Sequence, residues 1–499
     1  LENRLEGKAR LLVKPGDRLG VWGRGDLSVT TEFSDIGPND CVIPIGKPEG
    51  LPKAIPLGNP IKQENISRSP LRLTPWIMNE SASRILALPE IEIERRLRRE
   101  GLPARIGTAG KDIITRSSLS STDTFVSVTV WGFDAIEIRR VNSFDQRVNG
   151  VKYSSEGISG SYVYSSEHAL WKPAARISAR ALYLLGLDFG QVELALSEAG
   201  KFTVTGISPL MKLSGRAAKQ RLSDAVSRFS KDWAHETKNG VQAKLGADPE
   251  FVLLSKEGRI VPATRYFSPD GAAGCDSVRV KGEKRWPLVE IRPRPSVDPE
   301  KVLSEMHRLL CLAAERTAGA SLTWRAGALP VPGLPLGGHI HMSGVAMTGE
   351  RLRALDNAVG LTLRLLEPPL AARRRPRYGT LGDVRRQPHG GFEYRTPPSW
   401  LVSPSLALGV IALAKVAAEH SRELASNRPL DDDRIRDAFY AGDRILLMKA
   451  ADSFFESIRG TSGYVEYKEP IDFLFRAVAR ERSWDESADI RLKWRIPLG

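Results

Sequence analysis

The sequence predicts an α+β protein of more than one domain, on three observations. Its 499 residues exceed what one hydrophobic core usually organises. Short β-branched runs closed by Gly and Pro alternate with longer helical stretches. A polar, charged segment at 210–240 separates two such series. Hydrophobic residues make up 41% of the chain, enough to build ordinary cores and to exclude global disorder.

Taken in order, residues 1–78 read as a small β-rich region. LLVKPGDRLGVWG (11–23) and DCVIPIG (40–46) predict short strands joined by turns. A helix follows at about 80–100, with Asn79 or Ser81 as its cap, Pro89 interrupting it and Gly101 ending it. FVSVTVWGF (125–133) and AIEIRRV (135–141) predict a hairpin. A helix at 173–186 then leads into two further strands, within LGLDFGQVELAL (185–196) and KFTVTGISP (201–209). Residues 210–240 predict a helical linker ending at Asn239-Gly240, so the expected divisions are 1–78, 79–235 and 241–499. LALGVIALAKVAA (406–418) carries a lysine and predicts a buried helix rather than a membrane span.

The three cysteines, Cys41, Cys275 and Cys311, are far apart and form no CxxC or zinc-type pattern. The N-terminus has no basic-then-apolar signal and begins at Leu1, so upstream residues can be missing. A cytoplasmic protein without a disulfide framework or membrane partner is expected. The net charge of +14 favours an anionic partner: nucleotide, nucleic acid, acidic peptide or wall polymer. The densest basic run, 372–377, lacks interleaved aromatics and reads as a solvated loop.

The chemistry concentrates in four segments: GADPEFVLL (246–254), WPLVEIRPRP (286–295), GGHIHMSG (337–344) and GGFEYRTPPSW (390–400). Strand alternation places Glu290, Arg292 and Arg294 on one face, His339 with His341, and Glu393 with Arg395. Such acids and histidines can hold a divalent cation that grips nucleotide phosphates, and arginines beside them can fork onto phosphate oxygens. Any one of these alone is more simply a solvated residue, and Arg292-Pro293-Arg294 could block a sheet edge. Their conjunction on four strands favours a site. No Ser or Cys sits in a convincing nucleophile motif.

In this order, and with YGTLGDVRRQPHGGFEYRTPPSWLVSP (378–404), residues 245–430 resemble the phage-type carboxylate–amine ligases, type 2, of the glutamine synthetase and glutamate–cysteine ligase fold. The resemblance implies a curved antiparallel sheet with helices over 241–499 and an ATP- and Mg²⁺-dependent (Mn²⁺ possible) ligase acting through an acyl phosphate. It implies metal roles for Glu250, Glu290, His339, His341 and Glu393. It implies phosphate or catalytic roles for Arg292, Arg385 and Arg395, with His341 also near phosphate. Asp248 and Asp276 are weaker candidates, because turn-like contexts favour Asp for local reasons. Substrates would be a small-molecule or peptide carboxylate and an amine.

Residues 79–209 are similar to pieces of an ATP-grasp domain. Glu193 keeps the acid of the first closing strand, but Gly206 and Ser208 stand where that fold carries Glu and Asn, and 107–125 is too short for a phosphate-covering subdomain. This half therefore reads as a degenerate ATP-grasp-like accessory domain. Two rival readings stay open. One is a non-catalytic basic protein binding nucleic acid or an anionic polymer on a ligase scaffold. The other is a Zn²⁺ hydrolase using His339 and His341.

Overall fold

The computed structural model describes residues 7–12, 28–30, 36–44, 73–106, 124–141, 162–280, 282–388 and 390–498. The expected strand over 13–23 and the short stretch 107–123 lie outside them. The chain divides into two compact units at Gly240/Val241.

The first unit carries two sheets. Strands β1 (Ala9–Leu12), β2 (Ser28–Thr30), β3 (Cys41–Pro44) and β4 (Trp76–Ile77) are parallel, in the order β2-β1-β3-β4. Strands β5 (Thr124–Trp131), β6 (Asp134–Val141), β7 (Phe189–Leu196) and β8 (Phe202–Ser208) form an antiparallel sheet, β6-β5-β7-β8. The expected hairpin is present, with Gly132 at φ +58° in its turn. Pro89 splits the first helical stretch into Ala82–Leu86 and Glu90–Arg99. Asn79 does not cap the first of these. Its side-chain oxygen accepts from the Asp188 and Phe189 amides at 2.7 and 3.1 Å, pinning the start of β7 instead.

The expected linker is a helix, Arg216–Asn239, ending at Gly240, but it is not a linker. Leu222, Val226 and Trp233 on one of its faces are buried with Leu11, Ile43 and Trp76 from the parallel sheet and with Trp131 and Phe189 from the antiparallel one. Widely spaced apolar residues, i to i+4 and i+11, were enough to make a buried stripe in a segment of polar composition. The same core joins the N-terminal strands, expected as their own region over 1–78, to the sheets that follow.

The second unit is α+β with antiparallel sheets, as expected. Strands β9 (Lys244–Ala247), β10 (Glu250–Leu254), β11 (Ile260–Val261), β12 (Ala273–Val280), β13 (Glu283–Ile291), β14 (Thr323–Arg325), β15 (Ile340–Ser343), β16 (Val384–Arg386) and β17 (Phe392–Tyr394) form two sheets. One runs β11-β10-β13-β12, with β14 also on β10; the other runs β16-β17-β15-β9. Asp248-Pro249 carries the chain from β9 straight into β10, so the sheets meet there. Pro287 sits on β13 where the register with β12 shifts, the place at which a strand tolerates a residue with no N–H.

Helix Pro299–Arg316 starts from the Asp298 cap, and Pro404–Glu419 from the Ser403 cap; each has Pro in its first turn. The second of these is buried on nearly all faces, including Lys415, which reaches Glu419 at 2.6 Å and the Ala243 carbonyl at 3.1 Å. Among the described residues no helix is long and apolar enough to cross a membrane. The three cysteines form no disulfide with one another.

The basic run at 372–377 is not a solvated loop. Arg374 and Arg375 are buried, and Arg375 forks onto both carboxylate oxygens of buried Glu367 at 2.7 Å. Burial opposes ionisation of Glu367, but Arg375 outweighs it and holds the carboxyl below its ordinary range.

Candidate active site

The site forms where the two sheets meet. Cross-strand register lines up Arg385, Glu393, His341 and Gly246 on adjacent strands β16, β17, β15 and β9. Glu250 faces Glu290 across β10 and β13. Asp248, in the turn joining the two sheets, reaches both histidines: His339 Nδ1 lies 3.2 Å from Oδ1, and His341 Nε2 lies 3.1 Å from Oδ2.

Close backbone packing explains the glycines before the histidines. A Cβ on Gly337 would lie 2.6 Å from His339 Nε2, and one on Gly338 would collide with the Pro398 carbonyl and the Trp400 indole. Trp400 Nε1 donates to the Gly338 carbonyl at 2.8 Å, and the Gly337 amide donates to Glu250 Oε2 at 2.6 Å. The histidine strand is thus anchored on one side by the Trp of the PPSW segment and on the other by a site acid.

Glu393 is fully buried and heavily bonded. It accepts from Arg385 Nε (2.7 Å) and Gln387 Nε2 (2.8 Å) on one oxygen and from Arg395 Nη1 (2.7 Å) on the other, with His339 Nδ1 at 3.3 Å. Glu290 accepts from Arg292 Nε at 2.8 Å. Arg292 is otherwise committed to the protein, since its Nη1 donates to the carbonyls of Pro269 and Gly271 at 3.0 and 2.6 Å. It braces Glu290 and the 269–271 turn. Arg294 does not share the site: β13 ends at Ile291, so strand alternation no longer applies, and its side chain is 90% exposed near Glu305.

The electrostatics are those of crowded acids. Burial, with Asp276 and Asp248 adding like charge, pushes Glu250 up to about 7. Burial and the Asp248 charge push Glu290 up to about 8. Burial would also raise Asp248, but His339 and His341 outweigh it and hold the carboxyl below its ordinary range. Burial would lower His339; Asp248 overrides that and raises it.

Among the described residues, one group of three side chains brings metal-ligand atoms together: Asp248, His341 and Glu393, all within 4.8 Å of one another. Asp248 Oδ1 and His341 Nε2 are buried without a satisfied hydrogen bond, their close approaches lacking the angle for one. Orphaned donor atoms converging in this way fit a divalent cation. Two of the three donors are carboxylate oxygens, which suits a hard ion better than the soft, nitrogen- and sulfur-rich set of a zinc site. Glu250 and Glu290 lie beside this group rather than within it.

Sequence reasoning ranked Asp248 too low. Its turn context is real, but the turn is the junction of two sheets, which no local pattern announces. Gln387 and Asp383, the latter 3.9 Å from Arg395 Nε, were missed for the same reason. In the first unit Glu193 stands opposite Gly206, whose absent side chain would lie 2.7 Å from Glu193 Oε2. Its cross-strand neighbours among the described residues, Ser127 and Gly206, are not acids.

The family described as phage phiEco32-like COOH.NH2 ligase-type 2 matches residues 245–496, a little over half of the chain. No curated protein matches the sequence. Solved structures with similar chain paths include a novel glutamine synthase homologue, at 15% identity and TM-score 0.25, covering 48% of this chain and 71% of that one. A bifunctional glutathione synthetase from Pasteurella multocida is 10% identical, with TM-score 0.29 and 51% and 52% covered. Apo GmaS without ligand is 14% identical, with TM-score 0.28 and 48% and 70% covered. At such distances they bear on neither activity nor substrate.

Proposed function

Because the chain belongs to the phage phiEco32-like COOH.NH2 ligase-type 2 family, and is thereby a carboxylate–amine ligase, we propose that it couples amide formation to ATP through an acyl phosphate, with its site where the two sheets of Val241–Gly499 meet. The observation that carries this reading is the convergence of Asp248, His341 and Glu393 under Arg385 and Arg395.

In the proposed reaction a carboxylate oxygen of the acid attacks the γ-phosphorus of ATP, and the β–γ bridging oxygen leaves with ADP. The amine nitrogen then attacks the acyl carbon, inorganic phosphate leaves, and the nitrogen loses a proton. Asp248, His341 and Glu393, with Glu250 and Glu290 beside them, would hold the divalent cation. A bound Mg²⁺ or Mn²⁺ neutralises phosphate charge and orients the triphosphate. Arg395 and Arg385, fixed by Glu393, present guanidinium edges to the transferring phosphoryl group. Arg385 is 59% exposed, so it can swing toward a nucleotide. The protein supplies positioning and charge and needs no covalent nucleophile.

The acid is an amino acid, a peptide or a peptide-bearing polymer, and the first unit is an accessory domain derived from an ATP-grasp scaffold. Cytoplasmic location belongs to the same reading. The +14 charge favours anionic substrates without requiring nucleic acid.

Purified protein is expected to release phosphate from ATP only with Mg²⁺ or Mn²⁺ plus an acid and an amine. Glu393→Gln is expected to abolish this with unchanged circular dichroism. Metal-independent turnover, or full activity in the variant, would overturn the reading.

A further inference from the structure

A buried helix of the second unit changes its winding at one acid. Gly349–Leu355 and Leu361–Leu366 are α-helical, and Asp356–Gly360 between them form a π turn. A π turn bonds i to i+5 instead of i+4, so it is rare and re-aims the side chains it contains. Asp356 and Gly360, both buried, open and close this one. A Cβ on Gly360 would lie 3.2 Å from Tyr394 Oη, so the missing side chain lets that hydroxyl come in close to the helix.

Both oxygens of Asp356 are used on the strands that carry the site arginines. Oδ1 accepts from Tyr394 Oη at 2.8 Å, and Oδ2 accepts from the Gly382 amide at 2.8 Å. Thr396 Oγ1 lies 3.4 Å from Oδ1 and donates to the Thr380 carbonyl at 2.7 Å. Tyr394 and Thr396 turn toward Asp356, while Glu393 and Arg395, which alternate with them, bond to each other in the site. Gly382, at φ +67°, leads into β16. The next residue, Asp383, accepts at its carbonyl from the Arg395 amide at 2.8 Å, and Arg385 follows two positions on. One buried carboxylate therefore ties the strand of Glu393 and Arg395 to the segment that delivers Arg385.

Such a tie matters because the strands are short. β16 and β17 have three residues each, and β16 lies at the sheet edge. A group that stabilises a transition state must be held within about 0.5 Å of its working place. A three-residue ladder at an edge gives little of that rigidity, whereas a carboxylate on a packed helix supplies it.

We propose that Asp356 is a positioning residue for Arg385 and Arg395: through Tyr394 Oη and the Gly382 amide it sets the spacing of β17 and β16, and so the place at which both guanidinium groups meet the transferring phosphoryl group. That last clause rests on the amide-ligase reading, and two experiments separate its failure from failure of the positioning.

The first needs no turnover. Crystal structures of the full-length wild type, Asp356→Asn and Tyr394→Phe are compared. Asn turns an N–H₂ toward one of the two donors, and Phe keeps the ring but removes one hydroxyl, so it serves if the Asn variant does not fold. In the variants at least one of Arg385 and Arg395 is expected to leave hydrogen-bond distance of Glu393, with His339 and His341 unmoved. Both arginines unmoved overturns the proposal whatever the enzyme does.

The second is kinetic: ADP release with L-glutamate or L-aspartate as the acid and hydroxylamine as the amine. Tyr394→Phe is expected to lower kcat about 10-fold, the scale of one hydrogen bond to a carboxylate, with the KM for ATP changed less than about twofold. Asp356→Asn is expected to lower kcat about 10–100-fold, the scale for a partner that orients a site residue. In an Arg395→Met background the further loss from Tyr394→Phe should shrink to less than about threefold, because the two residues act through one network. A folding defect alone would multiply through both backgrounds. A full tenfold further loss in Arg395→Met, or no loss from Tyr394→Phe in the wild-type background, therefore overturns the proposal. No ADP release by wild type with either acid counts against the ligase reading and leaves the crystal structures to decide on Asp356.

Discussion

Antiparallel sheets in both units of this chain carry acids on strands next to glycine, and only those of the second unit make a site. In the first unit, Glu193 on β7 is exposed and faces Gly206, so its carboxylate meets no other ligand from the facing strand. In the second unit, Asp248, Glu250, Glu290 and Glu393 are all buried, come from different strands or their junctions, and are interleaved with His339, His341, Arg385 and Arg395. The residue types are similar. The difference is convergence and burial: a lone acid at a surface keeps its hydration, whereas several acids taken from water need a cation, protons or arginines to persist. That requirement, more than any single residue, identifies the chemical half of the chain.

The contrast can be broken or sharpened by mutation. After the complete loss expected for Glu393→Gln, the next largest effect is expected from Glu290→Gln, which removes an acid next to the convergent ligands and releases Arg292. Amide formation should fall about 10²–10³-fold, the scale for loss of one preorganised electrostatic contact, with the fold intact by circular dichroism. Arg395→Met should cost about 10²-fold in kcat with a smaller change in KM, because its charge acts on the transferring group. A raised KM with kcat unchanged would make Arg395 a ground-state anchor instead.

A pH test follows from the crowded acids. Glu250 and Glu290 keep protons up to about 7 and about 8, against about 4.3 for an unperturbed Glu. Between those limits the native chain binds more protons than the unfolded one, so stability falls as pH rises from about 4.5 to 8. Chelator-treated protein should therefore show a falling Tm across that window, flattened by added Mg²⁺ or Mn²⁺. The Glu250→Gln, Glu290→Gln double variant should lose most of the slope; a slope unchanged in that variant would place its origin elsewhere.

Trp233→Ala probes the helix once expected to be a linker. Truncating a Trp buried between both sheets of the first unit should cost about 3–5 kcal/mol, read as a lower unfolding midpoint. A linker residue would cost less than about 0.5 kcal/mol. The smallest effect is expected for Glu193→Ala, with ATP turnover changed less than about twofold on the scale of an isolated exposed acid. Complete loss of activity there would reverse the division of labour between the two units.

Much of this was legible in the sequence. The paired glycines before His339, the alternation that sets His339 and His341 toward the same acid, and the Pro89 break are local patterns with local causes, and the structure follows them. The ligase family was legible for the same reason, since its motifs are short strands whose glycines and prolines do identifiable steric work.

What the sequence could not reveal is long-range. Asp248 reads as a turn residue until β9 and β10 are seen to belong to different sheets. The 216–239 helix reads as polar until its few apolar residues find Trp76 and Trp131. Arg374 and Arg375 read as a solvated basic run until Glu367 is buried beneath them. By itself the sequence determined the elements, their ends and the kinds of chemistry its strands can carry. The tertiary structure alone decided which charges leave water together. Burial and convergence arise from contacts between residues tens to hundreds of positions apart, and it is that shared desolvation which turns ordinary acids and arginines into a site.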